Sequence, residues 1–250
     1  MRRAAACAAL VAAALLPAGA RADVFSIDPV VVTLPGKGST QITVTNRSTA
    51  PIRFQVVSYA WSESPAGKMT LEPSDHLVYF PKLFTLAPSQ QKKIRVGSTA
   101  ASESVERSYR TFVEELPPVQ SVIRPAKGEE IVLRTRVGLA VFVAPLTSSV
   151  KGSIAAATMK PHAVAVDVVN DGTRHFMIHH VHLTAKDSSG AVVAKEEIPG
   201  WYVLAGATRT FSFPLTAAQC SRITSVSVDA TGDVDLSKTF DRVTGTCAAG

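Results

Sequence analysis

Four histidines and one methionine stand within a span of eight residues: His175, Met177, His179, His180 and His182. Imidazole together with thioether is a donor set that suits copper. On an extended strand alternate residues share a face. His175, Met177 and His179 are therefore expected on one side, with His180 and His182 on the other. That division splits the set, and neither a cysteine nor a carboxylate completes a shell. A metal would need ligands from another strand, so hydrogen-bonded or solvated strand histidines are expected and no metal. Ser148-Ser149-Val150-Lys151 has the S-x-x-K spacing. In serine acyl enzymes that motif opens a helix; here it sits in a hinge between extended runs, without its partner motifs. The sequence contains no G-x-S-x-G, H-E-x-x-H, P-loop or dinucleotide fingerprint. Neither an enzyme nor a cofactor is expected. Of three cysteines, Cys7 lies near the N-terminus, and Cys220 and Cys247 enclose 26 residues near the end. An even pair in an oxidising compartment predicts a disulfide.

The compartment follows from the first 22 residues. Arg2 and Arg3 precede an apolar run from Ala4 to Leu16, and Ala20-Arg21-Ala22 is an A-x-A cleavage site. This is the pattern of a secretory signal peptide. The run is shorter than the ~20 residues of a membrane span, and no membrane insertion is expected. The whole chain has 250 residues and a formal charge of +6; without Arg2, Arg3 and Arg21 it keeps 23 basic against 20 acidic residues, or +3. So small an excess, in an exported chain, gives no reason to expect a nucleic-acid partner.

The elements that must position these residues are strands. Past the leader there are 30 Val and 22 Thr against 13 Leu, and β-branched residues suit a pleated sheet. Extended runs are expected at Val24–Leu34, Thr40–Asn46, Ile52–Trp61, Leu77–Phe84, Gln91–Val96, Ser108–Leu116 and Glu130–Val143, separated by Pro, Gly and Asn turns. Seven strands in this length predict one immunoglobulin-like sandwich. A second set follows the hinge: Ala163–Asn170, Met177–Lys186, Ala191–Glu197, Trp201–Leu204, Arg209–Leu215 and Ser225–Ala230. The fold class is all-β, two Ig-like β-sandwich domains in tandem with a cleft between them. The expected boundaries are 1–22 for the signal peptide, 23–146 for the first domain and 147–250 for the second.

The run Glu130–Val143 is long for a strand, since 5–6 residues is usual. Ile131, Leu133, Val137, Leu139, Val141 and Val143 alternate along it, with Thr135 as the polar exception. Such a strand either serves a core or lends an apolar face to a partner by β-augmentation.

The leader, the two Ig-like domains, Thr45-Asn46 after the second strand, and Ser108-Tyr-Arg-Thr-Phe-Val-Glu-Glu-Leu-Pro-Pro118 before the long strand resemble the PapD-like periplasmic pilus-assembly chaperones. The stretch Trp201-Tyr-Val-Leu-Ala-Gly206 is similar to the branch that assembles archaic-type pili. The resemblance implies donor-strand complementation, with Ile131, Leu133, Thr135 and Val137 filling the groove of a pilus subunit. It implies an outer-membrane usher as the second partner and the periplasm as the location. In the better-known branch two basic residues in the cleft hold the subunit's C-terminal carboxylate. Their places are Val30 and Ala140 here, so the resemblance moves the anchor to Arg110, with Arg134 and Arg136 as fallbacks. A planar guanidinium suits a carboxylate. An unfilled apolar strand also favours self-association of the free chain. Two rival readings remain open at this point: an exported Ig-like adhesion module that lends no strand, and a periplasmic copper-binding protein.

Overall fold

Alternation in the sequence becomes alternation of burial. In β3 (Ser39–Asn46) Ile42, Val44 and Asn46 point inward while the residues between them stay at least partly exposed. The computed structural model describes residues 25–117 and 134–247. The signal peptide and two of the donor residues, Ile131 and Leu133, lie outside the described residues.

The first half also contains β1 (Phe25–Asp28), β2 (Val31–Leu34), β4 (Ile52–Glu63), β5 (Met69–Pro73), β6 (Leu77–Phe80), β7 (Leu83–Leu86), β8 (Gln91–Ser98), β9 (Arg107–Leu116) and β10 (Arg136–Val143). One sheet runs β1-β3-β8-β6 and the other β2-β10-β9-β4-β5, with β7 also on β4. Leu34, Ile42, Val44, Phe54, Ile94, Val113 and Leu139 are buried between them. Two expected strands are each divided. At Asp28-Pro29 the chain leaves β3 and crosses to pair in parallel with β10. At Phe80-Pro81 it passes from β8 to β4. Proline has no N–H to give to a ladder, so each pairing ends there and the next begins in the opposite sheet.

The long run also differs from expectation: among the described residues its strand begins at Arg136. From Leu139 to Val143 every residue is buried. Leu139, Val141 and Val143 enter the first core, while Ala140 and Phe142 face the second half of the molecule. Burial on both faces is what removes the polar positions from this stretch.

The second half is built from β11 (Gly152–Lys160), β12 (Ala163–Asn170), β13 (Phe176–Lys186), β14 (Val192–Pro199), β15 (Tyr202–Val203), β16 (Thr208–Pro214), β17 (Ser225–Gly232), β18 (Leu236–Phe240) and β19 (Thr244–Gly245). Its sheets run β16-β12-β11-β19 and β14-β13-β17-β18, with β15 on β13. A single turn of helix, α1 (Ala217–Cys220), is capped by Thr216, whose side chain accepts from the Gln219 N–H. Two buried asparagines perform the same task in the two halves. Asn46 Nδ2 donates to the carbonyls of Ala50 and Leu86 at 2.8 and 2.9 Å. Asn170 Nδ2 donates to those of Arg174 and Val203, both at 2.9 Å. Each also accepts a backbone N–H from two residues on, at Ser48 and Gly172. Each thus stitches a turn to a distant strand with all its polar atoms occupied.

Cys220, in α1, is bonded to Cys247. The bridge closes the C-terminal end onto the second core, where Cys220 is buried. Thiol titration of denatured, unreduced protein is expected to find no free thiol outside the leader. Replacing both cysteines by serine should lower stability by ~3–4 kcal/mol, the loop-closure magnitude. Recovery of two free thiols from the untreated protein would overturn this. Among the described residues no helix is long and apolar enough to cross a membrane.

Candidate functional site

The two halves meet on a small apolar patch. Trp61 at the end of β4, Ala140 and Phe142 on β10, and Leu204 after β15 are buried together, with Tyr202 packed against them. The Phe142 ring stacks on the imidazole of His175, with centroids 3.6 Å apart. Polar contacts flank this stack. Glu106, just before β9, accepts from the His175 backbone N–H at 2.9 Å and lies 2.6 Å from its Nδ1. The Glu106 N–H donates to the Thr173 carbonyl at 2.8 Å.

A second polar group lies at the end of β4. The side chain of Glu63 is only 5% exposed, which would be costly for a carboxylate without partners. It has three. The indole N–H groups of Trp61 and Trp201 both donate to Oε1, at 3.1 and 2.9 Å. Arg209 on β16 donates to Oε2 at 2.8 Å. Gly67 makes room for that arm. Its φ of +80° belongs to the turn after β4, and a Cβ there would strike the Arg209 guanidinium.

Arg110 completes the group. Its carbon Cζ lies 4.7 Å from the centre of the Trp61 ring and 5.9 Å from that of Trp201. Both are within cation–π range. Burial pulls its guanidinium below the usual pKa, opposed by the fields of Tyr202 and Glu63. Among the described residues it forms neither a salt bridge nor a side-chain hydrogen bond. A half-buried cation on an aromatic floor, with its hydrogen-bonding edge unspent, is suited to an anionic group arriving from outside.

The neighbours of Arg110 bear on the two positions where the resemblance implies an anchor. The Ala140 N–H donates to the Val30 carbonyl at 3.0 Å, and Ala140 lies directly opposite Arg110 across the β10–β9 ladder. The row across the three adjacent segments is therefore Val31, Ala140 and Arg110, with Val30 one residue before it. The fallback arginines stand elsewhere. Arg134 is exposed. Arg136 begins β10, pairs with Glu114 at 2.6 Å and lies over the Phe112 ring at 3.6 Å. Of the donor residues, Thr135 accepts from the Glu115 backbone N–H at 3.0 Å, and its own N–H donates to the Glu115 carboxylate at 3.3 Å. Val137 is partly buried against the first core.

The histidines do not divide as strand alternation predicts. A bulge between Ile178 and His180 shifts the register, so the inward positions change from Phe176 and Ile178 to Val181 and Leu183. His179, His180 and His182 are consequently all exposed, since two successive residues turn outward at a bulge. Glu197 on the paired strand lies 2.8 Å from His180 and 3.6 Å from His182. His175 stands apart from them in the joint. Among the described residues no three His, Cys, Asp or Glu side chains are gathered to hold a metal ion.

Glu63, Trp61 and Arg209 carry no motif, and sequence reasoning passes over them. One signal was available: the chain has two tryptophans, and both lie beside Arg110.

Residues 25–148 match the family model for the pili and flagellar-assembly chaperone, PapD N-terminal domain. No curated protein sequence matches the chain. Solved structures do. A chain of the CsuC-CsuE chaperone–tip adhesion subunit pre-assembly complex, from archaic chaperone-usher Csu pili of Acinetobacter baumannii, aligns with a TM-score of 0.59 at 14% identity, over 89% of this chain and 99% of that one. The class 5 fimbriae chaperone CfaA aligns at 0.56 with 14% identity, over 86% and 98%. A chain of the Salmonella enterica SafA pilin–SafB chaperone complex aligns at 0.54 with 14% identity, over 86% and 94%. At such identities the structural likeness speaks for the fold.

Proposed function

Because the chain belongs to the PapD family of pilus-assembly chaperones, we propose that it binds pilus subunits in the periplasm, keeps them from aggregating by donor-strand complementation, and passes them to an outer-membrane usher. A subunit lacking one strand of its sandwich exposes apolar core and unpaired backbone. In this reading Ile131, Leu133, Thr135 and Val137 lend the missing side chains. Each large apolar one contributes ~1.5–3 kcal/mol on burial. Arg110 receives the subunit's C-terminal carboxylate. Release proceeds by exchange with another subunit's strand, which requires no nucleotide.

The observation that carries this reading is Arg110: an arginine in the cleft of this family's fold, held by aromatic faces and without a carboxylate of its own among the described residues. The archaic-type branch is favoured because the usual anchor positions, Val30 and Ala140, are apolar. The test is co-expression with exported Ig-like subunits encoded beside it, followed by affinity recovery from the periplasm. A one-to-one complex with a subunit that aggregates when expressed alone is expected. If every such subunit stays soluble without the chain and none is recovered with it, the plain Ig-like binding module is the better reading.

A further inference from the structure

We infer that Glu63 is a positioning residue for Arg110: by holding both indoles and Arg209 on one carboxylate, it fixes the aromatic floor of the anchor and leaves the Arg110 charge open to a ligand. The inference rests on the proposed carboxylate anchor. Its basis is a division of partners. Glu63 is the nearby acid, yet both its oxygens are already engaged, Oε1 by Trp61 and Trp201 and Oε2 by Arg209. With those partners in place it pairs with Arg209 and not with Arg110, which rests on the rings instead.

The arrangement also crosses the joint. Trp61 and Glu63 come from β4 in the first half, whereas Trp201 and Arg209 come from the second. The floor beneath Arg110 therefore exists in full only when the two halves are docked. Glu63 is needed less for its charge than as an acceptor placed where two indole N–H groups converge. A glutamine keeps one acceptor for the two indoles but gives up the tie to Arg209, and an alanine keeps neither.

The two tryptophans are the only ones in the chain, so intrinsic fluorescence reads this site without a label. The full exported chain is titrated with N-acetyl-dialanine as the free acid and as its C-terminal amide, at constant ionic strength. The unaltered chain should show a saturable change in emission with the acid and not with the amide. Glu63→Ala should shift the resting emission to the red as the indoles meet water. It should also weaken acid binding by about 10-fold or more, the scale of a buried donor losing its acceptor. Glu63→Gln should rescue both. Glu106→Ala removes a different polar tie of the joint, that of the Glu106 carboxylate to His175, without touching an indole, and should leave the preference for the acid intact.

Four outcomes are informative. If Glu63→Ala binds the acid like the unaltered chain, the positioning role is wrong and the anchor stands. If Glu63→Gln is as weak as Glu63→Ala, the charged tie to Arg209 matters and the bonds to the indoles do not, which also overturns the inference. If Glu106→Ala loses as much as Glu63→Ala, Glu63 merely holds the halves together. If the unaltered chain does not distinguish acid from amide, the anchor reading itself fails, and the inference falls with it.

Discussion

Arg110→Ala is expected to abolish recovery of a subunit from the periplasm while leaving the free chain folded. The two effects separate because of where Arg110 spends its interactions. It has neither an ion pair nor a side-chain hydrogen bond among the described residues, so its removal costs the fold little more than two cation–π contacts. Contacts of this kind are worth ~0.5–2 kcal/mol, partly offset by relief of a desolvated charge. A bound carboxylate would lose far more. Truncating one partner of a desolvated charge pair costs ~2–5 kcal/mol, which is about 30-fold to a few thousand-fold in affinity. Arg110→Lys should fall between, because an ammonium keeps the charge and lacks the planar fork. Thermal unfolding of the free variant and pull-down of the subunit check the two halves of the statement. Normal pilus assembly by Arg110→Ala, together with its loss in Arg136→Ala, would transfer the anchor to the other arginine.

Replacing Ile131 and Leu133 together by aspartate should remove subunit protection altogether. In the proposed complex both side chains enter an apolar groove, where a carboxylate without a partner is prohibitive. Subunit should then degrade or aggregate, while the chaperone itself purifies with unchanged circular dichroism. Val137→Asp serves as the contrast. Val137 packs against the first core, so this change should destabilise the chain even without a subunit. Should the Ile131 and Leu133 double variant unfold in the same way, those residues belong to the chain's own core and donor-strand complementation is the wrong mechanism.

Much of the architecture was legible because its signal is local. Alternating runs such as Thr40–Asn46 and Ala163–Asn170 appear as strands nearly to the residue. The family could be recognised from the block around Tyr109–Pro118 and the two-domain rhythm. What escaped is non-local or irregular. A proline inside an apolar run looks like a strand end, but nothing at Pro29 or Pro81 announces a change of sheet. The strand Gly152–Lys160 was missed because its centre is alanine and it carries a bulge at Ile154, which blurs the period of two. The bulge after Ile178 likewise brought His180 and His182 to the same outer face as His179. The Glu63 group joins residues 138 and 146 apart in sequence, a distance over which no spacing rule operates.

Those same separations bear on the order in which the molecule assembles itself. The buried asparagines close loops of 40 and 33 residues, each within its own half. The ties across the joint close loops of 67 to 146 residues. Closure entropy grows with the logarithm of length, and each doubling adds about 0.6 kcal/mol. The two sandwiches are therefore expected to mature first, each with its own asparagine stitch, and the Glu63 group to form last. A chain whose two halves have not yet docked has no finished floor beneath Arg110. If Arg110 is the anchor proposed above, the chain can take a client only once its own folding is complete.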